Sequence, residues 1–260
     1  MELELTTLLL LAATALVAGF IDSMAGGGGL ITIPALMAAG VPPTQALATN
    51  KLQACFGSFS SAHYFWRQKL VVLKDLYLAI VCTAAGSVVG TLCVQWVNAQ
   101  AMAKLLPLLL MGFALYFLLS PKMSDQDSHR RLSAVPFAFL VGTGVGFYDG
   151  FFGPGTGSFF AMAFVALAGF GIAKATAHAK VLNFTANVAS LVFFLIGGKV
   201  YIVTGLCMAC GQVIGARLGS RMVVSSGVRL IRPLLVAMSL IMSSKLLWDE
   251  YGAEVLQRLG

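Results

Sequence analysis

Four charged side chains stand inside apolar sequence, and they form two matched sets. Asp22 and Lys51 lie in the first half of the chain, and Asp149 and Lys180 occupy corresponding places in the second half. A charge near the centre of a membrane span costs about 2.5–3.5 kcal/mol on insertion scales, so such residues usually face the protein interior and mark a transport path. A lysine there can neutralise an anion, and a carboxylate can cap a helix, pair with a lysine or carry a proton. Snorkelling of the lysines to a nearby interface is the alternative.

A glycine-rich phrase follows each aspartate: AGFIDSMAGGGGL at 18–30 and VGFYDGFFGPGTG at 145–157. Gly and Pro weaken helix interiors, so each phrase predicts a break between two helices. A helix that restarts presents unpaired N–H groups and the positive end of its dipole, and two such ends would form a small anion site near the membrane midplane. The alternative is that the glycines only permit a tight turn. The residues concerned are Gly26, Gly27, Gly28, Gly29, Gly153, Pro154, Gly155 and Thr156.

Polar residues accompany each lysine and complete the set of predicted substrate-binding residues. Asn50 and Gln53 flank Lys51, and His178 and Asn183 flank Lys180. His178 titrates near neutral pH in ordinary surroundings, but the first half has no counterpart, so we treat it as secondary. No catalytic residue, metal ligand or cofactor is predicted, since nucleotide-binding and acidic metal motifs are absent from the sequence.

Composition places these residues in a membrane protein. Hydrophobic residues make up 58% of the chain and charged residues 10%, and the mean hydropathy is +0.88. Average globular domains carry roughly a quarter charged residues, so a soluble fold would expose too much apolar surface. The net charge of +7 reflects basic loops that set topology, and nothing further supports nucleic-acid binding. The N-terminus, with Glu2 and Glu4 and no basic residue, does not predict a cleaved signal peptide.

Five cysteines fall inside apolar segments, so no disulfide framework is predicted. Cys207 and Cys210 have a C-x-x-C spacing that puts both on one face of a helix. Packing is the ordinary interpretation of such residues. A redox or metal role would need further ligands, and that segment contains no His or acidic residue.

The predicted fold class is an all-α membrane protein, a polytopic helical bundle. A helix needs about 20 apolar residues to cross the hydrocarbon core. Two longer blocks, 4–40 and 134–171, contain the Gly-rich phrases near their middle, and each should form two shorter helices. Small residues four apart also predict close helix packing at Gly86 and Gly90 and at Gly211, Gly215 and Gly219. The predicted full spans are 45–66, 73–97, 102–120, 174–197, 200–220 and 229–248.

Basic residues predict the orientation of the spans. The positive-inside rule makes three clusters cytoplasmic, and the two halves then have opposite orientations. This requires each Gly-rich block to return to its starting face as a hairpin, with both termini on the non-cytoplasmic side. The chain is thus one membrane domain of two inverted repeats, about 5–120 and 134–248, joined by a cytoplasmic linker at about 121–133. The clusters are Arg67, Lys69 and Lys74; Lys122, Arg130 and Arg131; and Arg217, Arg221, Arg229 and Arg232.

Four segments carry a family resemblance: GFIDSMAGGGGLITIPAL, ALATNKLQ, GFYDGFFGPGTGSFF and KATAHAKVLNFTAN. Together they resemble the TauE/SafE family of sulfite exporter-like membrane proteins, and within it the YfcA-like branch, over about residues 8–248. The resemblance implies a secondary transporter with two homologous halves that handles a small anion, such as sulfite or a sulfonate, near the paired motifs. The two breaks differ, GGGGL against GPGTG, so equal roles for the halves do not follow.

We therefore predict a secondary transporter, an exporter, of a small sulfur-containing anion across a bacterial inner membrane, with proton or ion coupling possible. A passive anion channel, an intramembrane sulfur-compound enzyme or redox helper using Cys207 and Cys210, and a membrane assembly factor are the alternatives. Expected partners are the anion and membrane lipid, and a homo-oligomer is possible.

Overall fold

The computed structural model describes residues 3–98 and 126–226, together with Trp248 and a few residues between 100 and 112. This part of the chain is helical and contains no strand. The first half comprises α1 (Leu5–Ala25), α2 (Gly29–Ala38), α3 (Pro43–Arg67), a 3-10 turn (Leu73–Leu76) and α4 (Tyr77–Gln95). The second half comprises α5 (Ala134–Phe151), α6 (Thr156–Ala166), α7 (Ile172–Ile196) and α8 (Ile202–Ser226).

Five of the described helices are long and apolar enough to cross a membrane: Leu5–Ala25, Leu73–Gln95, Ala134–Phe151, Ile172–Ile196 and Ile202–Val224. Helices at the predicted spans 45–66, 73–97, 174–197 and 200–220 are therefore present. Among them α3 has 25 residues but is not one of the five, because polar side chains such as Asn50 and Gln53 interrupt its apolar character. The spans predicted at 102–120 and 229–248 lie largely outside the described residues.

Each Gly-rich block is broken at its predicted phrase into two helices, as predicted, and the first piece of each block is the longer one. The first pieces have 21 and 18 residues, and the second pieces have 10 and 11. The segment 5–25 contains no proline, so α1 continues through Gly19 to Gly26 and ends there with a left-handed residue at φ 76°. The first piece of each block is therefore long enough to cross a membrane by itself.

Glycines bring helices from opposite halves into backbone contact. A Cβ at Gly211 or Gly215 of α8 would collide with the α1 carbonyls of Ala12 or Leu16. In the same way, a Cβ at Gly86 of α4 would collide with the Thr143 carbonyl of α5. The predicted close packing of these glycines is thus present, and it joins one helix of each half.

The two halves are consequently interlocked rather than side by side. The α1–α8 and α4–α5 packings are reciprocal, and α3 and α7 pack against each other between them. Apolar side chains such as Leu9, Leu10 and Ile196 are exposed on the outside of the bundle, as expected of a surface that faces lipid. The opposite orientation of the halves, the hairpin course of the blocks and the side of the termini remain predictions.

Candidate functional site

The two Gly-rich breaks meet, backbone against backbone. A Cβ at Gly26 would collide with the backbone of Gly157 and Ser158, and the Ser158 hydroxyl donates to the carbonyl of Ala25. The start of α2 lies against the second break as well, since a Cβ at Gly29 would lie 3.2 Å from the Pro154 Cα. Residues as far as 133 positions apart in the chain thus form one centre, because glycines leave room for the backbones to approach.

Two ion pairs cross between the halves at this centre. Lys51 of α3 pairs with Asp149 of α5, and Lys180 of α7 pairs with Asp22 of α1 at 2.8 Å. Lys180 also donates to the Asp22 main-chain carbonyl. Each lysine therefore pairs with the aspartate of the other half. The snorkelling interpretation fails for both lysines, because each is 1% exposed inside the bundle.

The electrostatic result is a neutral centre. Two lysines and two aspartates sum to zero formal charge, so neither lysine has an excess positive charge to offer an anion without leaving its partner. The pairs are not equally enclosed: the Asp22 side chain is 12% exposed, while that of Asp149 is 1% exposed. Asp22 also accepts a hydrogen bond from the Gly28 N–H at 3.1 Å, so this carboxylate fixes the break that follows it.

The first half adds a linked set of polar side chains. The Asn50 Oδ1 accepts hydrogen bonds from the Thr32 hydroxyl at 2.6 Å and from the Gln53 Nε2 at 2.7 Å. All three side chains are buried. Thr32 lies on α2, just after the break, so this set ties the restarted helix to α3.

The second half is arranged differently. Asn183 of α7 accepts one long hydrogen bond, 3.3 Å, from Asn187 one turn later. Within the break, the Thr156 hydroxyl donates to the Gly153 carbonyl at 2.6 Å, and the Tyr148 hydroxyl donates to the Pro154 carbonyl. These bonds hold the break in shape and do not link it to the polar residues of α7.

A small cavity of about 20 Å³ lies where these groups converge. One water needs about 10–15 Å³ on this measure, so the cavity has room for about one water and not for a sulfonate. Ten predicted site residues line it: Asp22, Gly26, Gly28, Gly29, Asn50, Gln53, Asp149, Gly153, Gly155 and Asn183. Gly27, Pro154 and Thr156 lie in the breaks beside it, and Lys51 and Lys180 adjoin it through their paired aspartates.

The structure does not bring His178 to this cavity. Its ring contacts Phe164 and Phe170, with centroid distances of 5.4 and 4.8 Å, and its Nδ1 is 2.8 Å from the Lys174 carbonyl. Residues two apart on a helix point to nearly opposite sides, so Lys180 faces the centre and His178 does not. Its role in substrate binding remains a prediction without a contact to support it.

Sequence analysis missed several residues that line the cavity. Gln212 of α8 and Asn187 of α7 both contribute, as do Ala54 and Gly157. Asn187 lies seven residues after Lys180, on the same helix face, and that spacing was a usable signal. Gln212 lay in an apolar span with no motif, and only the glycines near it hinted at a function. Of the cysteines in the same helix, Cys210 is exposed and Cys207 half-buried, and neither lines the cavity.

A family model described as Sulfite exporter TauE/SafE matches residues 11–246. A protein of Escherichia coli K12 called "Probable membrane transporter protein YfcA" is 57% identical over 246 residues, which cover 95% of this chain and 91% of the relative. A "Probable membrane transporter protein" of Haemophilus influenzae is 47% identical over 250 residues, covering 96% of this chain and 98% of the relative. A Sinorhizobium protein called "Probable membrane transporter protein ORF9" is 48% identical over 248 residues, or 95% of each chain. No solved structure matches.

Proposed function

Since the chain belongs to the TauE/SafE sulfite exporter family, we propose that it is a secondary transporter of a small oxyanion of the sulfite or sulfonate type. Transport runs across the bacterial inner membrane, and export is the proposed direction. The substrate binds at the centre where the two Gly-rich breaks and the two crossed ion pairs meet. The observation that carries this proposal is the polar, buried centre inside an apolar bundle.

Several contacts support this location. Backbone that leaves a helix within a membrane is tolerated only where protein covers it or where it lines a cavity. Here both breaks line the same cavity, together with Asn50 and Asn183. The helices that restart at the breaks, α2 and α6, begin beside this cavity, and the positive ends of their dipoles favour an anion there. The buried amides add neutral hydrogen-bond donors.

The charge balance indicates coupling to a cation. Because the four ionised groups cancel, a bound monoanion would leave an uncompensated negative charge in an apolar bundle, which is costly. Protonation of Asp22 or Asp149 would restore neutrality and release a lysine for the anion. We therefore propose that the anion and a proton move together.

The size of the cavity implies a change of conformation. A volume of about 20 Å³ holds about one water, so an oxyanion enters only when the surrounding helices separate. The units that move are the α1–α8 and α4–α5 pairs, since glycine contacts fix each pair internally. Each unit contains helices from both halves, so the two sequence repeats do not move as separate bodies.

Flux into proteoliposomes tests the proposal. We expect uptake of radiolabelled sulfite or a sulfonate that rises with an imposed proton gradient and shows counterflow. Lys51→Met and Lys180→Met should each reduce this flux about tenfold or more, while Lys74→Met, a change at an exposed lysine, should not.

Unchanged flux in both Lys51→Met and Lys180→Met would remove the lysines from the mechanism. Flux without counterflow or any response to the proton gradient would indicate a passive channel instead. The same vesicles thus separate the proposed carrier from its main alternative.

A further inference from the structure

Gln212 is a buried polar residue that the proposed ion-pair mechanism does not use. It lies in the middle of α8, is 1% exposed, and lines the cavity. Its Oε1 is buried without a hydrogen-bond partner among the residues that the structure describes. An unpaired buried acceptor costs about 1–3 kcal/mol, so a group of this kind in a binding protein points to a ligand.

The two neighbouring helices α1 and α3 each have a glycine where they contact Gln212. A Cβ at Gly57 of α3 would collide with the Gln212 side chain, and a Cβ at Gly19 of α1 would lie 2.5 Å from the Gln212 carbonyl. Any larger residue at Gly57 would displace the amide from its position. The packing of both α1 and α3 therefore makes room for a glutamine that reaches the cavity.

In the α4–α5 packing, the position that corresponds to Gln212 of the α1–α8 packing is occupied by a shorter residue, Thr83. A Cβ at Gly146 of α5 would lie 2.5 Å from the Thr83 carbonyl of α4, as one at Gly19 would from the Gln212 carbonyl. Thr83 is equally buried but does not line the cavity. The two packings therefore differ at this position, because only the Gln212 side chain lines the cavity.

A second unpaired acceptor belongs to another residue that lines the cavity. The Gln53 Oε1 has no partner among the described residues, although its Nε2 donates to Asn50. Two amide oxygens of cavity-lining residues, on α3 and on α8, therefore lack a donor that a ligand in the cavity could supply. An oxyanion without a proton offers acceptors alone and would meet both oxygens unfavourably.

We propose that Gln212 contacts the transported anion and, with Gln53, selects an anion that carries an O–H or N–H donor. This inference rests on the proposed function, because it assigns the substrate class of the same cavity. Sites that hydrogen-bond a substrate hydroxyl discriminate strongly against the analogue that lacks it, since their polar groups are then left unpaired. Gln212 is thereby a residue that determines specificity.

The test compares matched anions on the purified full-length protein in detergent. Dissociation constants are measured by calorimetry for 2-hydroxyethanesulfonate against ethanesulfonate and for glycolate against acetate. In the wild-type protein the hydroxylated member of at least one pair should bind about tenfold tighter. Gln212→Met, which keeps the length and removes the acceptor, should bring this ratio close to one. Thr83→Val, the matched change in the other half, should leave it unaltered.

Three results would overturn the inference while leaving the proposed function in place. Equal wild-type affinity for both members of each pair would do so, as would a Gln212→Met protein that keeps the full preference. If Gln212→Met does not fold, Gln53→Met and Gln212→Asn take its place, and an unaltered ratio in both counts against the inference. Absence of any anion binding together with absence of flux would instead overturn the proposed function, and the inference with it.

Discussion

The two breaks share a scaffold and differ in what they present to the cavity. Each has an aspartate, a left-handed glycine and a lysine from the opposite half. In the first half, Thr32, Asn50 and Gln53 form one hydrogen-bonded set beside the break. In the second half, Asn183 has a single long bond to Asn187. The ion pairs and turns are therefore common to both halves, while the amides around them differ.

The helices that carry the lysines also begin differently. α3 starts at Pro43, whose missing N–H suits the first turn of a helix. α7 is instead held by the linker: Asp127 accepts a hydrogen bond from the Gly171 N–H at 2.6 Å and pairs with Lys174 at 3.3 Å. The start of the second lysine helix is thus held by a contact from the linker.

Removing one lysine should lower the stability of the protein the most, and the size of the loss should show which ion pair contributes more. Loss of one partner of a buried ion pair typically costs about 3–5 kcal/mol, because a charge is left unpaired. Lys51→Met should be the more damaging, since Asp149 is almost fully enclosed, whereas Asp22 keeps the Gly28 N–H. Chemical unfolding in detergent measures the difference.

The double variant Lys51→Met/Asp149→Asn is the control for this ranking. It leaves no unpaired charge at this position, so it should recover much of the stability lost in Lys51→Met. A Lys180→Met protein less stable than Lys51→Met would reverse the comparison.

Alanine at the first glycine of each break should have the next largest effect, and the loss of stability should differ between the two breaks. Gly26 and Gly153 both have positive φ, 76° and 93°, so alanine is strained at either position. At Gly26 the new methyl also meets the Gly157 and Ser158 backbone, while at Gly153 its neighbours include the movable end of Lys51 at 3.1 Å. We expect a loss of about 2–4 kcal/mol for Gly26→Ala and about half of that for Gly153→Ala. Equal losses on chemical unfolding would mean that the contact between the breaks contributes little.

Transport should distinguish Asn50 from His178, which are the sequence neighbours of the two lysines. Asn50→Ala removes the acceptor of two hydrogen bonds beside the cavity and should lower flux about tenfold. His178→Phe keeps the aromatic cluster with Phe164 and Phe170, so flux should stay within about twofold. The flux of both variants is measured in proteoliposomes at matched protein levels. A His178→Phe protein as impaired as Asn50→Ala would place the histidine in the transport path.

The linker contact should give the smallest effect. The Gly171 N–H, with help from Lys174, holds the pKa of the Asp127 carboxyl below its usual range. A lowered folded-state pKa means that stabilisation is present at neutral pH and is lost as the pH falls through that value. Because the pair is largely exposed, Asp127→Asn should lower the thermal midpoint by less than about 3 °C at pH 7. The difference from wild type should begin to shrink below about pH 4 and vanish once the pH is below the folded-state pKa of Asp127; a difference that persists there would assign the effect to another cause.

Local features of this fold were predictable from the sequence. The helix breaks followed from the conformational properties of glycine and proline, and the burial of Lys51 and Lys180 followed from their apolar surroundings and their repetition. The close packing at Gly211 and Gly215 followed from their spacing.

The pairings were not predictable, because spacing along one chain does not say which half supplies the partner. Lys51 has Asp22 nearer in sequence, yet it pairs with Asp149. His178 was grouped with Lys180 by proximity in the sequence, whereas helix geometry sends the two side chains in opposite directions. Gln212 was missed because one glutamine in an apolar helix has no local pattern, and its place depends on glycines in α1 and α3.

The crossed pairs also bear on how the protein is made. Lys51 and Asp149 are separated by 98 residues and Asp22 and Lys180 by 158, so both charges of the first repeat enter the membrane well before their partners are synthesised. Until the second repeat is synthesised, Asp22 and Lys51 lack the partners that they have in the folded protein. A chain truncated after the first repeat would therefore lack both crossed ion pairs.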